Sequence, residues 1–220
     1  MYLIFSDTHF TKKVDKKRLE YLKKLISSVD RVIIDGDLWD GLFITFDDFI
    51  NSGWNELFPL LKQKKAIYIY GNHDKKEFSD DRVNMFSSTQ CLNYKLNING
   101  NDYYFSHGDD LEPSFTKITN VVSPYVPKFV FQVHYYIERF LTKMFGYKYT
   151  TLVHRRFNLE LKESSKERLK KNAIYVCGHT HHVEDDWANS FINLGYFDFG
   201  VANYLLIDNN GKYQLKRDRY

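Results

Sequence analysis

The chain has 220 residues, 43% of them hydrophobic and 17% aromatic, enough for one sizeable domain with a substantial core. Its formal net charge of +3 is too slight to imply nucleic acid without a clustered basic patch, so nucleic acid is not an expected partner. No apolar run approaches the roughly 18 residues that span a bilayer, and the first residues lack a basic leader, so the expected compartment is the cytoplasm.

Tyr2-Leu3-Ile4-Phe5 reads as a strand buried on both faces. From 15 to 29, Leu19, Leu22, Leu25 and Ile26 recur at helical spacing. A second buried strand follows at 31–34. A helix is expected over 47–61, starting near Phe46 or Asp47 and disturbed at its end by Pro59. The run Ala66-Ile67-Tyr68-Ile69-Tyr70 is a third strand. Residues 93–98 and 103–106 form a hairpin about the turn signal Asn99-Gly100. Further strands are expected at 174–177, 191–194, 204–207 and 213–215. Alternation of strand and helix, then mainly strands, indicates an α/β sandwich with mixed sheets.

Between 112 and 172 no strand is evident. Val126, Phe129, Val130, Val133, Tyr136, Ile137, Phe140, Leu141 and Met144 make one helical stripe, and Phe131 and Tyr135 add apolar surface beside it. Lys128, Arg139 and Lys143 lie nearby, and a charged helix is expected at about 157–169. The segment reads as a helical cap inserted in the core domain. His154, Arg155 and Arg156 form a compact basic cluster suited to a phosphate or nucleotide.

Five short polar stretches each follow a strand-like run. They are Ser6-Asp7-Thr8-His9, Gly36-Asp37-Leu38-Trp39-Asp40, Gly71-Asn72-His73-Asp74, Ser106-His107-Gly108-Asp109 and Gly178-His179-Thr180-His181. Taken singly each is ordinary loop sequence. Jointly they sit where α/β folds gather ligands, at the carboxyl ends of strands. Their oxygen and imidazole donors, without thiolate, suit Mn first, with Fe, Zn or Ni as alternatives. Cys91 and Cys177 match no zinc motif or disulfide framework, and Cys177 reads as a buried inert thiol.

The ordered set Asp-x-His, Gly-Asp-x-x-Asp, Gly-Asn-His-Asp, His and Gly-His-x-His, running from Asp7 to His181, resembles the calcineurin-like metallophosphoesterases. The resemblance implies a four-layer α/β/β/α sandwich, here with the inserted helical cap, and a centre of two divalent metal ions. Asp7, His9 and His181 would hold one ion, Asn72, His107 and His179 the other, and Asp37 would bridge them. A water shared as hydroxide would attack phosphorus in line. His73 would contact the substrate phosphate beside Asn72 and protonate the leaving oxygen, with Asp40 orienting its ring. Asp74 reads as structural, His182 as flanking, and Asp35 and Asp109 as acceptors for ligating histidines. The size and apolar character of the cap, with Trp39 after Gly-Asp-Leu, resemble the UDP-2,3-diacylglucosamine pyrophosphohydrolases. That implies a phosphodiester or pyrophosphate substrate and peripheral contact of the cap with the inner membrane face. The alternatives are a nuclease, a cyclic-nucleotide phosphodiesterase, or a non-catalytic scaffold of the same fold.

Overall fold

The computed structural model describes residues 1–111, 128–169 and 173–220, save the side chains of residues 128, 131, 132, 134, 135, 139 and 147. Strands β1 (Tyr2–Phe5), β2 (Arg31–Asp35) and β3 (Ile67–Ile69) are the expected apolar runs, and they pair in parallel. Between β1 and β2 runs helix α1 (Lys16–Ser27), whose N-cap Asp15 accepts from the backbone of Lys17 and Arg18.

The helix expected over 47–61 is three pieces: α2 (Phe46–Ile50), a 3₁₀ turn (Gly53–Leu57) and α3 (Phe58–Gln63). The break comes at Asn51-Ser52, where the Ser52 side chain caps the 3₁₀ turn by accepting from Trp54 N. Pro59 starts a helix rather than disturbing one. It lies in the first turn of α3, where its missing N–H costs nothing.

The later elements are β4 (Thr89–Cys91), β5 (Tyr94–Ile98), β6 (Asn101–Phe105), α4 (Lys128–Phe145), α5 (Tyr147–Lys166), β7 (Ala173–Cys177), β8 (Glu184–Asp186), β9 (Phe191–Asn193), β10 (Val201–Ile207) and β11 (Tyr213–Arg219). They complete two sheets, of order β11-β10-β1-β2-β3-β4 and β5-β6-β7-β9-β8. The β5–β6 hairpin turns at Asn99-Gly100, both at positive φ as the two-residue turn requires.

The pleat sorts side chains into layers. Leu3, Val32 and Ile34 face α1 to α3, where they meet Leu22, Ile26, Phe49 and Leu61. Ile4, Ile33 and Ile69 point the other way and pack against Phe105, Val176 and Ile192 of the second sheet. On that sheet's outer face Leu161 of α5 meets Tyr175, Phe191 and the buried free thiol of Cys177. Helices, two sheets and α5 are thus the four layers expected.

Helix α5 is longer than the expected 157–169, and it joins α4 at Gly146, held at φ 54°. The apolar stripe of α4 faces outward. Phe129, Val133, Tyr136, Ile137, Phe140 and Met144 are each more than half exposed. Val126 of that stripe, and the rest of 112–127 and 170–172, lie outside the described residues, as do the side chains of Phe131, Tyr135, Lys128 and Arg139. Among the described residues no helix is long and apolar enough to cross a membrane.

Candidate metal centre

Parallel pairing of β1 with β2 and β3, and of β6 with β7, brings the loops leaving these strands to a common end. The first two loops stay zipped beyond their strands: Asp7 N donates to Gly36 O at 3.2 Å, and Thr8 N and His9 N to Asp37 O at 3.0 Å. Buried Asp74 ties the second loop to the third. Its carboxylate accepts from Gly71 N (2.7 Å), Leu38 N (2.7 Å) and Asp37 N (3.1 Å). From α1, buried Arg18 donates to Thr8 O at 2.8 Å and pairs with Asp198.

The candidate ligands gather into two groups. In the first, Asp7 Oδ1 lies 3.3 Å from His181 Nε2 and 3.9 Å from His9 Nε2, and the two imidazole nitrogens are 3.1 Å apart. In the second, Asn72 Oδ1 lies 3.1 Å from His107 Nε2 and 2.9 Å from His179 Nδ1. Asp37 Oδ2 stands between the groups, 3.7 Å from His9 Nε2 and 3.2 Å from His107 Nε2. Beside them, His73 Nδ1 meets Asp40 Oδ1 at 3.0 Å, and Asp40 Oδ2 is 3.7 Å from His9 Nδ1.

Backbone strain concentrates here. Asp7, His9, Asp37, His179 and His181 all occupy the left-handed region, at φ 51°, 43°, 52°, 66° and 55°. Such conformations cost roughly 1–3 kcal/mol each and persist only where surrounding structure enforces them. Gly71 and Gly178 make the crowding feasible, because a Cβ at either would collide with the Asp37 or Asp7 carboxylate.

The donor set suits cations. Two imidazole nitrogens face each other, and carboxylate and amide oxygens face further ring nitrogens, so lone pairs converge on shared space. The ion-pair partners of Asp7, Asp37 and Asp40 are histidines. Burial pushes the His107 ring down, but Asp37 and Asp7 outweigh it and hold the ring well above its ordinary value. Burial likewise opposes charge on His181, yet Asp7 and Glu138 lift it to about 10. Burial raises Asp37, and the surrounding rings more than reverse this, holding it well below the usual carboxylate range. Protons satisfy the cluster in a metal-free protein, and divalent ions fit the same lone pairs.

An expectation for stability follows. His107 and His181 contribute stability that is full below about 6.5 and fades as pH rises through their folded-state values, about 10 for His181. Asp37 contributes stability that is present above the ordinary carboxylate value of about 3.9 and lost as pH falls through its lower folded value. Chelator-treated protein should therefore melt at falling temperature from about pH 6.5 to 10. Excess Mn(II), which displaces those protons, should reverse the slope over the same range. Parallel slopes in thermal unfolding would count against a cation site.

His107 is fixed through its other nitrogen, whose Nδ1–H donates to Asp35 O at 2.9 Å. The acceptor is thus the Asp35 backbone carbonyl and not its carboxylate, as the sequence suggested. That carboxylate is buried with no hydrogen bond to any described residue, and burial drives it well above the usual range. Burial also raises the Asp109 carboxyl. Trp39 and His182 are buried, and neither is among the groups that could hold an ion. His154, Arg155 and Arg156 do not converge. His154 Nε2 meets Glu138 Oε1 at 3.2 Å, whereas Arg155 and Arg156 are exposed and Arg156 pairs with Glu160. Successive helical residues point about 100° apart, so adjacency in sequence is not adjacency in space.

A cleft of about 300 Å³ opens beside the first group. His73 and Asp40 stand at its base, Leu42, Phe43, Tyr196 and Phe199 form an apolar wall, and Glu138 and Asp198 add carboxylates. Glu138, Arg18 and the cleft wall went unnoticed in sequence. Only the heptad-like phase of α4 could have placed Glu138 opposite its outward stripe.

The sequence profile of the calcineurin-like phosphoesterase superfamily domain matches residues 1–199. Among solved structures, a novel archaeal phosphodiesterase is 16% identical, with a TM-score of 0.50 and 98% of each chain covered. Vps29 of Entamoeba histolytica, complexed with zinc, is 13% identical with a TM-score of 0.52, covering 99% of this chain and 98% of its own. At such identities the likeness concerns the fold. No curated protein matches the sequence significantly.

Proposed function

The chain belongs to the calcineurin-like phosphoesterase superfamily, hydrolases acting on phosphoester bonds, and from that premise we propose a dinuclear, metal-dependent hydrolase of amphipathic phosphodiesters or pyrophosphates. The observation that supports two ions is the position of Asp37 Oδ2, between His9 of one group and His107 of the other. Asp7, His9 and His181 would hold one ion, Asn72, His107 and His179 the second, and Asp37 both. The oxygen and imidazole donors favour Mn. When bound, such ions supply charge at the phosphoryl oxygens and an acidified water for attack at phosphorus.

The chain's own groups complete the reaction. His73, lining the cleft with Nδ1 engaged by Asp40, has its other nitrogen for the substrate phosphate and the leaving oxygen. Burial opposes charge on this ring, but in the metal-free chain Asp37 and Asp40 raise it to about 9, and Asp40 continues to favour its protonated form when ions take up the charge of Asp37.

The wall of Leu42, Phe43, Tyr196 and Phe199 suits an apolar or aromatic portion of the substrate. Helix α4, outside the four layers, would act as a cap, its exposed apolar face meeting the membrane that holds an acylated substrate. UDP-2,3-diacylglucosamine combines these features.

Phosphorus NMR of the Mn-loaded protein tests this. UMP should be released from UDP-2,3-diacylglucosamine, fastest when it is presented in anionic vesicles, and not from the unacylated sugar nucleotide. Hydrolysis of DNA or cyclic nucleotides in its place would sink the amphipathic reading.

A further inference from the structure

The loop His179-Thr180-His181 carries one candidate ligand from each group, and α4 and α5 touch all three of its residues. His154, Phe157, Asn158 and Leu161 fall on one face of α5 by their spacing. The Phe157 ring stands edge-on to His179 with centroids 5.3 Å apart. Asn158, fully buried, accepts at Oδ1 from Thr180 Oγ1 (2.9 Å) and Asn193 Nδ2 (2.8 Å), while its Nδ2 donates to Glu184. His181 turns Nε2 toward Asp7 and His9, and its Nδ1 faces Glu138 Oε1 of α4 at 3.7 Å. The same Glu138 oxygen is held from α5 by His154 Nε2 at 3.2 Å.

We propose that Glu138 is a positioning residue for His181, steadied by His154, so that α4 and α5 form part of the support of the metal centre. A ligating imidazole needs an acceptor at its outer nitrogen to fix ring direction and tautomer, and a carboxylate there also strengthens the nitrogen that binds. The Asp35 carbonyl occupies such a place at His107 Nδ1. Glu138 is the carboxylate that faces His181 Nδ1 from outside the ligand set. It comes from a residue 43 positions earlier in the chain (181 − 138), across the helical segment. This role also explains why His154 parts from Arg155 and Arg156: it holds Glu138 rather than substrate.

The proposal rests on reading Asp7, His9 and His181 as one ligand set. Calorimetric titration of the metal-free full chain with MnCl2 tests it on wild type, Glu138→Ala and Glu138→Gln. Wild type should bind two ions. Glu138→Ala should weaken one of them by roughly 10–100-fold and leave the other unchanged. Glu138→Gln retains an acceptor oxygen and should recover most of the loss. Thermal unfolding of each metal-free variant separates a folding defect from a metal-site defect, and Glu138→Leu, which fills the space but offers no acceptor, carries the test with the same expected loss if the Ala variant is unfolded. Equal affinity in all three proteins, or equal loss at both sites, overturns the role of Glu138. Fewer than two ions on wild type would instead sink the ligand-set reading itself.

Discussion

Asp37→Asn should lose both bound ions and at least about 1,000-fold in kcat, since charge stabilisation of ~4 kcal/mol corresponds to three decades of rate. Asp37 Oδ2 lies 3.7 Å from His9 of one group and 3.2 Å from His107 of the other, whereas Asp7 is engaged with His181 at 3.3 Å in the first. The substitution keeps shape. An asparagine oxygen can still accept from His73 N, as Asp37 Oδ1 does at 2.9 Å. What it removes is charge. Asp37 is the strongest charge offsetting burial at both His107 and His73. In metal-free protein both rings should then lose their protons at lower pH than in wild type.

Metal content and turnover, measured on one preparation, decide the matter. Two ions retained with turnover intact would remove Asp37 from the bridging role. Ions lost with a native melting curve would support it. Asp74 gives the control: it fixes the same loop through backbone N–H groups, so Asp74→Asn should lower stability before it lowers metal content.

The five polar stretches were legible because each is short and local: a buried strand ends, and the residues that follow it carry the oxygen and imidazole donors that the fold brings together. Layering was legible for the same reason, since Leu3 and Ile4 differ by one position and face opposite cores. Strands β4 and β8 were not. Thr89-Gln90-Cys91 and Glu184-Asp185-Asp186 carry little apolar pattern, and they are strands by pairing with β3 and β9 at the sheet edges. The break at Ser52 was hidden because Phe49, Leu57 and Leu61 keep apolar character across it while local capping wins. The support of the site was least legible. Arg18, Glu138 and Asn158 act on partners far along the chain, and left-handed backbone at Asp7 or His181 is only weakly signalled by residue type, Asp and His being among the side chains that tolerate it. A motif names the donors, and only tertiary contacts say what holds them.

His73→Gln should lower kcat by roughly 100- to 10,000-fold while both ions stay bound, the range for losing a positioned proton donor. His73 lies near enough to His9 and Asp37 to share an ion, but its Nδ1 is engaged by Asp40 and each ion keeps three other donors besides Asp37, so the loss should fall on chemistry rather than on metal content. Its size should depend on the leaving group. A p-nitrophenyl ester departs without a proton and should lose far less than an alkyl ester.

The pH profile supplies an independent sign. Asp37 and Asp40 raise His73 to about 9 against the opposing effect of burial, so the protonated ring prevails at neutral pH and activity should fall on the alkaline side. Divalent ions at Asp37 neutralise its share of that lift. In the loaded enzyme the alkaline limb should therefore lie below about 9, with Asp40 as the main remaining support. Asp40→Asn removes this second carboxylate charge and should move the limb to lower pH still. Asp40 also faces His9 Nδ1 at 3.7 Å, so metal content must be measured alongside. An unchanged alkaline limb in Asp40→Asn with both ions bound would mean that another group donates the proton. A limb that moves down, together with the leaving-group dependence of His73→Gln, would assign the donor to this ring.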